Sequence, residues 1–380
     1  MIRHRARSRL TFVYSGYGSQ WPGMGRTLLS EPGVWPTLHR CEATVRELTG
    51  WSLLEHLSTD EAPPEVGEAV AAQTAIFTIQ ACLTDLWRRR GVIPDEVVGY
   101  SLGEVAAAHA VGALSIEQAL TIVVRRAEAV QRFDGTGTMA VAGLDPHTVD
   151  RLVARGGDVH VAAVNAPAVV VVAGSDDAVD ALGADVRAAG GWWLPLRVRH
   201  ALHSPRAAVM RRPIVEALAD VPPPRGNGHI VSSAVGGRVP VAALDASFWA
   251  DTVIRPVRFR DAIRTASGRG HDVLLELGPQ ATLSMVAEQS LAGHAARVTS
   301  LVSMRRGTSL NASLLDVSHR LRELGYGLRP GALNIPAASV ASVASAASVV
   351  GAAHGDAPRL PSPEPELVAP VCTTPGAVAS

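Results

Sequence analysis

Apolar residues fall along the chain either in short unbroken runs or at helical spacing, and the alternation between the two predicts a mixed architecture. Residues 10–14, LTFVY, read as a short buried strand, and Gly16, Gly18 and Gly23 then break the run. Residues 69–90, AVAAQTAIFTIQACLTDLWRRR, carry helical periodicity, and Pro94 is expected to stop that helix. Residues 96–100 read as a second strand ending at Ser101. Residues 102–112 and 115–130 read as helices, the second with Ser115 as N-cap and Gln118 as its capping-box partner.

From about residue 138 the pattern changes. MAVAGL is a strand, PHTVDRLVARGG a helix, VHVAAVN and AVVVVAGS paired strands, residues 176–190 a helix and WWLPLRV a strand. That β-α-β-β-α-β order is the ferredoxin-like motif. It predicts a small α+β subdomain at residues 138–202, inserted into a larger α/β subdomain made of residues 10–137 and 203–325. The clearest strand of the second half lies at 273–277, in HDVLLELGP. Residues 330–380 turn to Ala, Ser and Pro and read as a linker or disordered tail.

Composition narrows the function classes. The 380 residues allow two or three domains at about 150 residues each. Aromatic residues make up 4%, so Ala, Val and Leu must build most of the core. Lys plus Arg balances Asp plus Glu at 35 each, which argues against a general nucleic-acid binder. The chain has no lysine, so every cation besides histidine is an arginine. Cys41, Cys82 and Cys372 show no CxxC spacing and are too few for a disulfide framework, which predicts a reduced, cytoplasmic chain. The basic start is not followed by a long apolar segment, and no run of about 20 apolar residues follows, so neither a signal peptide nor a membrane span is expected. The histidine and cysteine spacings fit no common metal site.

The chemistry concentrates at Gly99-Tyr100-Ser101-Leu102-Gly103, a G-x-S-x-G placed after a strand and before a helix. The glycines let the backbone pass close to itself while Ser101 stands at the helix start, where amides can hold an oxyanion. A serine nucleophile needs a base. His200-Ala201-Leu202-His203-Ser204-Pro205 follows the last strand of the expected insert, and these residues alone leave either His200 or His203 as that base.

At this point the residues resemble a family. FVYSGYGSQWPGMG, GYSLGEVAAAHAVGALS, VRRAEAVQ, HALHSP, PVRF and LLELGP, in this order, resemble the malonyl-CoA:acyl carrier protein transacylases, and most of all the acyltransferase domain of a modular type I polyketide synthase, over about residues 11–325. The resemblance implies a hydrolase-like α/β subdomain with a parallel sheet core beside the ferredoxin-like insert. It makes Ser101 the acylated nucleophile, His203 the general base and Arg126 the guanidinium that grips the free carboxylate of the acyl group, a bidentate task suited to arginine. It assigns the oxyanion hole to the backbone amides of Tyr17 and Leu102, and the orientation of the histidine to the backbone carbonyl of Arg258. Arg125 is read as a surface neighbour and Asn165 as structural. The chain departs from the family at Tyr17, usually Gln, at Tyr100, usually His, at Thr252-Val253-Ile254, usually Asn-Leu-Arg, and at Gln280, usually His.

The family further implies malonyl-CoA as donor, the phosphopantetheine of an acyl carrier protein as acceptor, no permanently bound cofactor, and a ketosynthase and other synthase domains as further partners. The expected setting is a stand-alone enzyme, a split module or an excised fragment. Tyr100, His200 and Leu202 are expected to shape the specificity pocket. His-Ala-Leu-His lies closer to the malonyl pattern than to the methylmalonyl one, although Leu202 leaves room for a methyl branch worth about 1–3 kcal/mol of discrimination. Methylmalonyl specificity is the alternative. A serine hydrolase or thioesterase is a second, requiring an acid between Ser101 and His203, for which Asp145, Asp176 and Asp177 are the candidates. A non-catalytic docking domain is a third. The clusters Arg88 to Arg90, Arg211-Arg212 and Arg305-Arg306 read either as solvated faces or as contacts for an acidic carrier.

Overall fold

The computed structural model describes residues 8–59, 67–268, 270–295 and 297–329; the tail assigned to residues 330–380 lies outside them, as does Cys372. In chain order the strands are β1 (Arg9–Tyr14), β2 (Glu96–Gly99), β3 (Thr138–Gly143), β4 (Val159–Ala166), β5 (Val169–Gly174), β6 (Trp192–Pro195), β7 (His229–Ser232), β8 (Gly237–Pro240), β9 (His271–Leu277) and β10 (Arg297–Val302). The helices are α1 (Met24–Leu29), α2 (Trp35–Thr49), α3 (Leu53–Thr59), α4 (Glu68–Arg89), α5 (Gly103–Ala110), α6 (Ile116–Arg132), α7 (Pro146–Val153), α8 (Asp176–Ala188), α9 (Arg211–Ala217), α10 (Ala246–Ile254), α11 (Phe259–Ala266), α12 (Ser284–Leu291) and α13 (Leu310–Glu323).

The strands form two sheets. The larger has the order β10-β9-β1-β2-β7-β8. All its pairings are parallel except β7 with β8. Helices cover both faces of a parallel sheet, so its strands read as continuous apolar runs, and β2 is buried along its whole length. Tyr14 pairs with Gly99 on one side and with Leu277 on the other, so β1, β2 and β9 end together. Residues just beyond these strand ends line one edge, the place where open α/β sheets bind their ligands.

Helix α4 is the central packing element. By length and composition it suffices to cross a membrane, although no run of about 20 apolar residues was expected; 94% of its apolar window is buried within the protein, which makes it a core helix. It ends at Arg89, earlier than Pro94 would require. Gly91 takes a left-handed conformation, φ 82, and Val92 N–H reaches back to the Trp87 carbonyl. This is a Schellman stop, in which a glycine ends the helix before the proline is reached. Helix α6 begins with the expected capping box, Ser115 and Gln118 each closing on the other's amide.

The second sheet has the order β4-β5-β3-β6 with every neighbour antiparallel. That is the strand order of a ferredoxin-like fold, with α7 and α8 closing a separate aliphatic core of Val149, Val170, Val172, Val179, Leu182 and Val186. Its edge strand β4 carries two register shifts. Such shifts free ladder groups, and here Val257 N–H bonds Ala162 O while Val164 N–H bonds Val257 O, both at 2.8 Å. Val257, in the PVRF segment, thereby ties the small sheet to the body around the large one.

Candidate active site

The G-x-S-x-G spacing is a steric requirement. A Cβ on Gly99 would lie 2.3 Å from the Glu104 Cα, and one on Gly103 would lie 2.2 Å from the Tyr14 carbonyl oxygen. Strand β2 and helix α5 can meet at so sharp an angle only with glycine at both places. Between them Ser101 is forced to a positive φ of 51. That conformation is costly for a side-chain-bearing residue and marks sites where geometry outranks stability. The other described non-glycine residue with positive φ is His203, at 59.

Both residues hang on one helix end. The last carbonyls of a helix lack intrahelical donors, and those of α10 turn to the site. Ser101 Oγ donates to Thr252 O at 3.3 Å, and His203 N–H donates to Val253 O at 3.0 Å. The His203 Nδ1 hydrogen then bonds Arg255 O at 2.9 Å. A carbonyl can only accept, so Nδ1 is protonated and Nε2 keeps its lone pair. Burial depresses the His203 pKa to about 4, with the charge of Arg126 and the neighbouring His200 lowering it further and the Arg255 carbonyl opposing. His203 is therefore a neutral, acceptor-bearing imidazole near neutral pH.

The carbonyl assigned to Arg258 is a correction. Arg258 O accepts from Ala262 N–H as the first bond of α11, and the histidine's Nδ1 bonds Arg255 O instead. Arg255 takes the role because Pro256 follows it: a residue before proline is pushed out of helical conformation, and Arg255 is extended at φ −73, ψ 147. Its carbonyl thus leaves the helix ladder.

Arg126 projects from α6 into the same place and is 2% exposed. Its Nη2 donates to Ser101 Oγ at 3.0 Å, while Nε and Nη1 are buried without partners. Burial lowers its pKa to about 10, and the charge of Glu104 opposes the shift, so it remains a cation at neutral pH. A buried guanidinium with two idle nitrogens lacks an acceptor of the kind a carboxylate supplies. Arg125 points away, paired with Asp220 and the Ala217 carbonyl.

The amides of Tyr17 and Leu102 donate to no other backbone group among the described residues. Tyr17 lies in the turn after β1 and Leu102 at the start of α5. The Tyr17 ring meets His200 at 5.8 Å between centroids. His200 is buried, which depresses its pKa, and its Nδ1 has no partner; the anchored histidine of the pair is His203. Leu202 is buried in the main core beside them. Tyr100 packs edge-on against Phe259 at 5.5 Å, and burial pushes its phenol up to about 12, with Asn165 of β4 opposing the shift.

Two residues escaped the sequence reading. Ser101 N–H donates to Ser233 Oγ at 3.2 Å, and Ser233 Oγ donates to Glu104 Oε1 at 2.9 Å. Glu104 is fully buried one turn after the serine, and a lone acid in the apolar stretch EVAAAHAVGAL was its available signal. Of the hydrolase acids, Asp145 caps α7 through Thr148 N–H, and Asp176 and Asp177 sit exposed in the first turn of α8. The histidine's partner is instead a backbone carbonyl. Among the arginine clusters, Arg88 bonds the Ala110 carbonyl, Arg89 pairs with Asp85, Arg211 with Asp251 and Arg212 with Glu216, whereas Arg305 and Arg306 stand exposed.

Known proteins resemble this chain in sequence and in fold. Residues 11–323 match the family model of the acyl transferase domain. Erythronolide synthase EryA2 of Saccharopolyspora erythraea is 34% identical over 332 residues, which span 84% of this chain and 9% of that synthase. The acyltransferase domain from module 8 of the salinomycin polyketide synthase superposes with a TM-score of 0.77 at 31% identity, covering 84% of this chain and 76% of that one. The acyltransferase domain of SpnD, in complex with 2-(pent-4-yn-1-yl)malonyl, superposes with a TM-score of 0.74 at 30% identity, covering 84% and 77%. By sequence, by fold and by the glycine-framed serine elbow, the chain belongs to the acyl transferase domain family of polyketide synthases.

Proposed function

We propose that the chain transfers a carboxyacyl group of malonyl type from coenzyme A to the phosphopantetheine thiol of an acyl carrier protein, through an ester on Ser101. The observation that carries this reading is Arg126: a buried cation, bonded to the Ser101 hydroxyl, with two nitrogens unpaired. Buried donors without acceptors are costly, so a site built this way favours an acyl group whose free carboxylate can accept from both nitrogens.

In this reading the transfer runs in two halves. His203 Nε2 takes the hydroxyl proton as Ser101 Oγ attacks the thioester carbon, the Oγ exchanging its bond to Thr252 O for the imidazole. The Tyr17 and Leu102 amides hold the oxyanion. As the tetrahedral centre collapses the carbon–sulfur bond breaks, and the proton on His203 goes to the departing coenzyme A thiolate. The carrier thiol then gives its proton to His203 and attacks the ester, which releases the Ser101 oxygen to recover that proton. Arg126 holds the free carboxylate through both halves.

SpnD's acyltransferase domain holds a substituted malonyl group, which supports a carboxyacyl substrate for its relatives. Within that class His200-Ala201-Leu202-His203 favours malonyl over methylmalonyl. The test is transfer itself. The full chain, malonyl-CoA, methylmalonyl-CoA and a phosphopantetheinylated carrier protein are mixed, and the carrier's intact mass is followed. Malonyl-carrier accumulating faster than both methylmalonyl-carrier and free acid supports the proposal. Free acid with an unmodified carrier would make the chain a hydrolase.

A further inference from the structure

Glu104 has no part in the steps above, yet it is wholly buried and joined to the nucleophile. Its Oε1 accepts from Ser233 Oγ and from Ala234 N–H, each at 2.9 Å, and Ser233 in turn accepts the Ser101 amide at 3.2 Å. Its Oε2 is buried without a partner. Arg126 meets the same serine from the other side at 3.0 Å. The two side chains are 0% and 2% exposed, so one buried acid and one buried base flank Ser101 without a direct bond between them.

Other charges near α5 are committed elsewhere. Arg88 bonds the Ala110 carbonyl at the far end of the helix, and Arg89 pairs with Asp85. Arg125 pairs with Asp220, and Glu117 with Arg40. Glu96 sits with Arg9, His229 and Arg238 at the opposite end of β2. Arg126 is the charge whose field reaches Glu104, and Arg126 in turn acts on His203.

We propose that Glu104 is a positioning residue that balances the Arg126 charge while the site is empty and takes one proton from solvent when a carboxyacyl group pairs with Arg126. This rests on the carboxyacyl reading of the site. One guanidinium neutralises one carboxylate; a second buried carboxylate beside it leaves a net negative charge in low dielectric, and adding a proton to Glu104 removes it. The proton returns to solvent when the acyl group leaves. Burial already holds the Glu104 carboxyl at about 7, with the neighbouring Ser232, the Ala234 and Ser233 hydrogen bonds and the Arg126 charge opposing, so this proton is within reach near neutral pH.

The sign is fixed. Below about 7 Glu104 is protonated in the empty site and loading takes up nothing. Above it each carboxyacyl group must bring a proton, so malonyl loading weakens as pH rises while acetyl loading carries no such penalty. The experiment measures Ser101 acylation rates with malonyl-CoA and with acetyl-CoA by quenched intact mass from about pH 6 to about pH 9. The ratio of the two rates cancels the titration of His203. It is expected to fall above about pH 7 by at most about tenfold per unit, the limit for one linked proton. Glu104→Gln keeps an oxygen for Ser233 and Ala234 but cannot titrate; its ratio should be flat with pH and exceed the parent's at about pH 8. A purely structural glutamate would slow both thioesters alike and leave the ratio's pH profile unchanged, which overturns the proposal.

A second readout needs neither acylation nor a folded Glu104→Gln chain. Infrared difference spectra of the Ser101→Ala chain, malonyl-CoA minus acetyl-CoA at about pH 8, should show a protonated-carboxyl band that shifts when glutamate is carbon-13 labelled. Absence of that band, with malonyl-CoA bound, sinks the proton uptake. Absence of any acyl-Ser101 in the parent chain counts instead against the acyltransferase reading itself.

Discussion

The edge of the large sheet around Ser101 and the interior of the small sheet are built under opposite rules. The small sheet buries aliphatic side chains at regular positions and keeps its charges outside, with Asp145 at a helix start and Arg155 against Asp185 on the surface. The serine edge holds the two described non-glycine residues with positive φ, a buried cation with idle nitrogens, a buried carboxylate with an idle oxygen and two histidines stripped of solvent. Each of these features costs stability. They persist because the surrounding parallel core supplies it, and their concentration at one strand edge marks where the chemistry lies.

Substitutions can test this division. The largest effect is expected at Ser101→Ala, which removes the oxygen that carries the acyl group: no acyl-enzyme should be detected, while the chain still folds. Next comes Arg126→Ala. Breaking one partner of a buried charge pair costs about 3–5 kcal/mol, so malonyl acylation measured by intact mass should fall by about two to four orders of magnitude, while acetyl acylation changes far less. In the small sheet the outcome inverts. Leu182→Ala should cost about 2–5 kcal/mol in denaturant unfolding and leave the acylation rate of the folded chain unchanged.

A pH series sharpens the contrast further. His203 is neutral above about 4 when folded but titrates near 6.5 when unfolded. The unfolded state therefore binds the extra proton first, and stability should decline as pH falls from about 6.5 to about 4. His203→Gln should flatten that decline in thermal unfolding scans. The smallest effect is expected from Asp145→Ala, which removes one helix cap for about 1 kcal/mol of stability and nothing from acylation.

The same division explains what was legible beforehand. The Ser115–Gln118 capping box, the turn at Ser101 and the β-α-β-β-α-β order are written in neighbouring residues, where local rules decide. Glu104 and Ser233 act together across 129 positions of sequence, and no periodicity links them. The histidine's anchor was misplaced at Arg258 because a carbonyl's availability depends on whether its residue has entered a helix, and that boundary lies only three residues away at Arg255-Pro256. The end of α4 was placed within one residue, at Arg90, but the stop was credited to Pro94, whereas Gly91 had already ended the helix.

The central claim is that Ser101, His203 and Arg126 form one carboxyacyl-accepting unit. It is tested most directly by incubating the full chain and its Arg126→Ala form with an equimolar mixture of malonyl-CoA and acetyl-CoA, then locating the added mass by peptide mapping. The expected result is a malonyl group on the Ser101 peptide of the parent chain, and its replacement by acetyl in the variant. Equal malonyl occupancy in both chains, or an acyl group on any residue other than Ser101, contradicts it.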